Sequence, residues 1–256
     1  MSSKLRVGAV AYLNALPLVE GIPENPAVDI QYGSPAELEA GLDAGKFDGA
    51  LIPVAALIDR PHLTMFSFAG IASEREAGSV LFFSRSPKIR RVAYDEGSRT
   101  SVLLLKYLFA ESGLFPEWIA MPSDLDNMLK EADGALLIGD AALVNRRDHR
   151  LDFDLVERWR RRTDLPFVFA VWAARADHPR RSEMAKLFTD ASIQGLSRID
   201  AIAQRKAGTH GLSALEILTY YKKNMSYRLG KPHQDAIELF TAKCGQMVTD
   251  PKVSVK

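Results

Sequence analysis

Seven consecutive residues, Asp95-Glu96-Gly97-Ser98-Arg99-Thr100-Ser101, hold the densest chemistry in the chain. Gly97 permits a tight turn. Ser98, Thr100 and Ser101 place three hydroxyls where an apolar helical pattern begins. Free N–H groups and the dipole at a helix start favour an anion. One cap needs one hydroxyl, so three together read as an anion site as well as a cap. Asn14 follows the first apolar run, in Ala11-Tyr12-Leu13-Asn14-Ala15. Its carboxamide can donate to and accept from a ligand, or it can cap a short helix; the local sequence leaves both open. Ser79 heads an apolar run, Ser34 stands three residues before Glu37, and Gly139-Asp140 follows another apolar run. Ser34 and Asp140 read first as helix caps. None of the five histidines (His62, His149, His178, His210, His233) falls in these segments, and none has metal-type spacing to another. Chemistry here would proceed without an imidazole base, and no metal is expected.

The elements that must position these residues alternate. Strands are expected over 5–10, 28–32 and 47–54, with a helix over 34–45 opened by Ser34, Pro35 and Glu37. The order returns later: strands over 89–94, 117–121 and 134–138, and helices over 99–111 and 124–131. Such alternation predicts an α/β protein with two parallel-rich sheets. Apolar runs at 79–84 and 165–174 stand between the halves, and only helices are expected after them. A chain that enters a second lobe once and returns once gives two hinge crossings. Lobe one is therefore expected over 1–84 plus 174–256, and lobe two over 85–173. Ligands in open α/β sheets bind beyond the carboxyl ends of strands. With two lobes those ends face each other, which brings Tyr12, Asn14, Ser34, Ser79, the 95–101 segment and Gly139-Asp140 to one cleft.

Composition narrows the classes. The chain has 256 residues, 47% hydrophobic, and a formal net charge of +1. Basic residues are dispersed apart from Asn145-Arg146-Arg147-Asp148-His149-Arg150 and Arg158-Trp159-Arg160-Arg161-Arg162, which read as solvated faces and not as a nucleic-acid surface. A single cysteine, Cys244, allows no internal disulfide. No apolar run reaches the roughly 20 residues that cross a bilayer. No secretory signal opens the sequence, so the expected location is the cytoplasm. The phosphate-binding glycine motifs and the G-x-S-x-G elbow are missing. The oligomeric state is not legible.

Beyond these features the sequence resembles the chorismate dehydratase family of the futalosine route to menaquinone. The resemblance rests on VGAVAYLNALPL (7–18), GKFDGALIPV (45–54), SVLFFS (79–84), DEGSRTS (95–101), IGDAAL (138–143) and DLVERWRRRTDLPFVFAVW (154–172). Ala11 and Ala15 replace the Ser and Thr usual in the family, and Asp164 replaces a usual Gly. The resemblance implies a type II periplasmic-binding-protein fold, with a helical C-terminal segment. It implies conversion of chorismate to 3-[(1-carboxyvinyl)oxy]benzoate and water, a hydro-lyase reaction with no cofactor. Aromatisation drives it, so the protein has mainly to anchor two carboxylates, hold the leaving hydroxyl and exclude water. On this reading Asn14 and Ser79 are catalytic. Tyr12, Ser34, Ser98, Thr100, Ser101, Gly139 and Asp140 bind substrate, and its own enolpyruvyl carboxylate takes the proton. The alternatives are a sister enzyme making 1,4-dihydroxy-6-naphthoate, whose N-terminal Pro-Cys-Pro segment is missing here, and a non-catalytic carboxylate-binding protein.

Overall fold

In the computed structural model, residues 3–249 are described. The first half builds a sheet from β1 (Leu5–Ala9), β2 (Val28–Tyr32), β3 (Gly49–Pro53) and β4 (Leu63–Ser73), with helices α1 (Leu16–Val19), α2 (Pro35–Asp43) and α3 (Ala56–Asp59) between them. β1 lies parallel to both β2 and β3, in a register that sets Leu5 against Val28 and Ala9 against Tyr32. All five residues of β3 are buried, as expected of a strand covered on both faces.

The second sheet contains β5 (Val80–Ser84), β6 (Arg91–Asp95), β7 (Glu117–Met121), β8 (Gly134–Ile138) and β9 (Leu151–Asp154), in the order β7-β6-β8-β5-β9. Its helices are α4 (Thr100–Ala110), α5 (Leu125–Glu131), α6 (Gly139–Asn145) and α7 (Leu155–Thr163). The chain then returns through β10 (Phe167–Arg175), which runs antiparallel between β3 and β4. Two connections therefore join the sheets, at 74–79 and 164–166. This differs from the expectation in sheet membership. Val80–Ser84 pairs with β8 and β9 in the second sheet, and residues 167–173 belong to the first. A run buried on both faces carries no alternation, so its sequence does not say which sheet it joins.

After β10 come α8 (Arg181–Ser197), α9 (Ile199–Arg205), α10 (Ala214–Thr219), β11 (Ser226–Arg228) and α11 (Lys231–Thr249). The segment is not purely helical, as the sequence reading had it: β11 adds an edge strand beside β4. Its three residues, Ser-Tyr-Arg, are too few to show a period. α8 packs on α1 and β4, whereas α11 touches α3, β10 and the second lobe's α4. At the returning connection Trp159 donates Nε1 to the Pro166 carbonyl at 3.0 Å. Its ring meets Phe167 and Phe240 edge-on, at 5.4 and 6.4 Å. Each buried aromatic removes 150–250 Å² from water, so one cluster ties α7, β10 and α11 together at the hinge. Asp154 works at the other connection. Its carboxylate accepts from the N–H groups of Ala77 (2.9 Å) and Gly78 (2.7 Å), and also caps α7 at Val156 (2.8 Å).

Candidate functional site

Between the lobes lies a cleft of about 560 Å³, lined from both sheets. The first lobe supplies Val10, Tyr12 and Asn14 after β1, Leu51 and Pro53 on β3, and Phe169 and Ala170 on β10. The second supplies Val80, the Gly97–Ser101 turn, Ile138 and Gly139. Most of these groups are apolar, with a few polar ones converging, the usual make-up of a small-molecule site.

One wall is the start of α4. Asp95 shapes the turn before it, accepting from Gly97 N at 2.7 Å through its side chain and from Ser98 N at 2.8 Å through its carbonyl. No side chain caps α4, so its first-turn N–H groups are left to solvent or a ligand. The Ser98 hydroxyl is buried without a partner, and Ser101 lines the cleft beside it. Thr100 is placed differently. Its hydroxyl donates to the Phe169 carbonyl at 3.1 Å and accepts from Ala55 N at 3.2 Å, joining the lobes under the cleft. Arg99, inside the same motif but not predicted as a site residue, also lines the cleft. It pairs across the lobes with Glu39, and with Asp59 at 2.6 Å. Glu39 is buried, which pushes its carboxyl up against the opposing pull of Arg99 and Arg60.

The opposite wall is the segment after β1. The Tyr12 ring lies between the second lobe's two glycine turns. A Cβ on Gly139 would come within 3.5 Å of the ring, and one on Gly97 within 3.6 Å of its hydroxyl. Gly139 has φ +56°, a conformation other residues reach only with strain. Asn14 is half-buried and faces the cleft, its Oδ1 without a partner. Ser79 is buried behind this wall and is not among the residues that line the cleft; its Oγ accepts from the Tyr220 hydroxyl at 2.8 Å.

Besides Ser79, two more predicted residues stand back from the cleft. Ser34 caps α2 in a reciprocal box with Glu37, at 3.3 and 2.7 Å, and is exposed; its neighbour Pro35 lines the cleft instead. Asp140 turns away to accept from Leu13 N at 3.1 Å, which pins the lobes together. Burial pushes its carboxyl up, opposed by the Leu13 N–H and by His210. His210 Nε2 lies 3.5 Å from Asp140, so one histidine does reach a strand-end loop, from the C-terminal third. Tyr220 comes from the same distant segment. Nothing near residues 14 or 79 in sequence points to either, whereas Arg99 was in view inside its motif.

An uncapped helix start, an unpartnered serine and an unpartnered carboxamide, set in an apolar cleft, suit a flat anionic molecule with hydroxyl groups. Comparison with known proteins identifies the family. The profile of the menaquinone biosynthesis family matches residues 5–246. A chorismate dehydratase from Thermus thermophilus is 31% identical, over 93% of this chain and 94% of that one. One from Campylobacter jejuni is 24% identical, over 93% and 96%. In three dimensions the chain resembles the periplasmic aliphatic sulphonate binding protein of Escherichia coli, with a TM-score of 0.67 at 12% identity, covering 100% of this chain and 95% of that one. The fold is thus the two-lobed periplasmic-binding-protein fold, and the chain belongs to the menaquinone biosynthesis family of the chorismate dehydratases.

Proposed function

We propose that this protein is a chorismate dehydratase, a hydro-lyase that converts chorismate to 3-[(1-carboxyvinyl)oxy]benzoate and water. The observation that carries the reading is the pair of unpartnered buried groups, Ser98 Oγ and Asn14 Oδ1, facing one cleft beside the uncapped start of α4. A carboxylate of the substrate lies against α4, taking the first-turn N–H groups and the hydroxyls of Ser98 and Ser101. Charge-assisted bonds of this kind contribute about 1.5–3 kcal/mol each. Thr100 serves the site indirectly, by fixing the helix start to Phe169 and Ala55. Tyr12 and Gly139 cover the ring face, and Ser34 and Asp140 support α2 and the closed lobes.

In the reaction the C3–H and C4–O bonds break. The C3–H electrons become the new ring double bond, and the hydroxyl leaves with a proton as water. Asn14 and Ser79 hold the leaving hydroxyl by neutral hydrogen bonds. The substrate's enolpyruvyl carboxylate takes the C3 proton and hands it to the departing hydroxyl, which leaves as water; aromatisation lets a weak base suffice. A lobed cleft that shuts around the ring keeps bulk water from the developing charge. The cytoplasmic location expected from the sequence belongs to this same reading. Incubation with chorismate checks it. Loss of the diene absorbance, gain of an aromatic product and a mass loss of one water are expected. Saturable binding with no turnover would refute catalysis and leave a binding protein.

A further inference from the structure

Tyr220 is the first residue of a single π-helical turn, Tyr220–Asn224, closed by Met225 N donating to the Tyr220 carbonyl at 3.1 Å. Such turns insert one residue into a helix and gather at functional sites. Here the turn follows α10 and buries two successive rings, Tyr220 and Tyr221, each 1% exposed. The Tyr221 and Tyr227 hydroxyls nearby are buried without partners, whereas the Tyr220 hydroxyl reaches Ser79 Oγ at 2.8 Å. The Asn14 carboxamide lies beside that same hydroxyl. A hydroxyl from the C-terminal third thus stands behind both residues assigned to the leaving group.

We infer that Tyr220 is a positioning residue for the dehydration: by donating to Ser79 Oγ it directs the Ser79 proton into the cleft, toward the departing hydroxyl. The argument is one of hydrogen-bond capacity. A serine hydroxyl has one proton and two lone pairs. Tyr220 occupies one lone pair, and Ser79 Oγ has no other hydrogen bond among the described residues. Its proton is therefore free for a ligand beside Val80 and Asn14, which line the cleft. Burial raises the Tyr220 pKa far above its ordinary value, against the smaller lowering effect of its hydrogen bond with Ser79, so the phenol keeps its proton and remains a donor to Ser79 Oγ. With phenylalanine in its place, Ser79 would be free to rotate and the cleft would lose a fixed donor. The inference rests on the dehydratase reading and adds a residue to it.

A double-mutant cycle on the full chain tests it, using Tyr220→Phe, Ser79→Ala and the double variant with chorismate as substrate. Tyr220→Phe should lower kcat by about tenfold or more and leave KM within about threefold, since it alters a transition-state contact and not the anion site. In the Ser79→Ala background the same change should cost less than about threefold, because the two act as one unit. A purely structural tyrosine gives equal losses in both backgrounds, and that additivity would overturn the inference, as would a Tyr220→Phe enzyme with the kcat of the parent. Fluorotyrosine at position 220 keeps the ring and strengthens the donor, so it guards against a folding defect. It should change kcat by about twofold or more at constant KM, and an unchanged kcat counts against the proposal. If the unmodified protein leaves chorismate intact, the dehydratase reading falls and takes this with it. If that protein is active and the cycle is additive, only the role of Tyr220 falls.

Discussion

A carboxamide oxygen buried without a partner costs about 1–3 kcal/mol. Asn14 Oδ1 is in that state, and a ligand hydroxyl in the cleft would relieve it. Asn14→Ala and Ser79→Ala should each lower the turnover of folded enzyme by well over about tenfold. His210→Gln should leave turnover within about twofold, despite the 3.5 Å approach to Asp140. Steady-state kinetics on variants of verified melting temperature checks both. Normal turnover in folded Asn14→Ala would mean that this residue only caps its turn. Lys106, on α4, offers a different residue-scale test. Its side chain is buried, with Nζ 4.9 Å from the centre of the Trp118 ring, and burial lowers its pKa to about 8. Below that pH the fold holds a desolvated cation. Between about 8 and the unfolded value near 10.4 the unfolded chain binds the extra proton, so stability rises with pH. Lys106→Met should therefore stabilise the protein by about 1–3 kcal/mol at pH 7, with a gain that shrinks toward pH 10. Urea titrations at the two pH values measure it; a gain independent of pH would assign the effect to packing alone.

The elements divide by how much of their logic is local. α2 was legible in full. Ser34, Pro35 and Glu37 announce its start, and the reciprocal box is present. Ser34→Ala should cost about 0.5–2 kcal/mol of stability while leaving the dissociation constant for chorismate unchanged, which calorimetry would show; weakened binding would return Ser34 to the ligand. α4 was equally plain, because its apolar run begins at three hydroxyls. β4 was missed: residues 63–73 mix apolar and small residues with no period of two, and the strand is defined by its neighbours β10 and β11. The helices α6 and α7 and the strand β9 were not separated within the 138–172 stretch, since motif residues there obscured the local pattern. The cleft residues near strand ends were found because topology puts them there. Tyr220 and His210 were out of reach, because the partner of Tyr220 lies 141 residues away in the connection between the sheets and that of His210 lies on the second lobe.

At the scale of the whole molecule, the two lobes are held at the cleft by polar links. Arg99 joins Glu39 and Asp59, Asp140 accepts from Leu13 N, and Thr100 joins Ala55 and Phe169. Glu39 is nearly inaccessible, so losing a cationic partner leaves a buried charge poorly compensated. Arg99→Met should destabilise the protein by about 1–3 kcal/mol, less than for a lone buried pair because Arg60 still reaches Glu39 at 3.2 Å. Chorismate binding should weaken with it, since the lobes lose their closed set-point. Denaturant titration with and without ligand measures both, and an unaltered affinity would show that closure rests on the other links.

Helix α11 touches both lobes and carries the only thiol of the chain. Cys244 is fully buried, 3.9 Å from the Leu103 carbonyl on α4, and burial pushes its pKa up to about 12. In the docked state such a thiol is inert toward disulfide reagents, which need a thiolate in contact with them. The chain therefore carries an intrinsic stopwatch. The rate at which Cys244 is modified by an aromatic disulfide reports how often α11 lifts from α4, with no label added and no competing cysteine. Because α4 also forms the anion wall, saturating chorismate should slow that clock, and about a hundredfold excess over the dissociation constant should slow it by up to about a hundredfold. A rate indifferent to ligand would mean that the strap opens without disturbing the cleft.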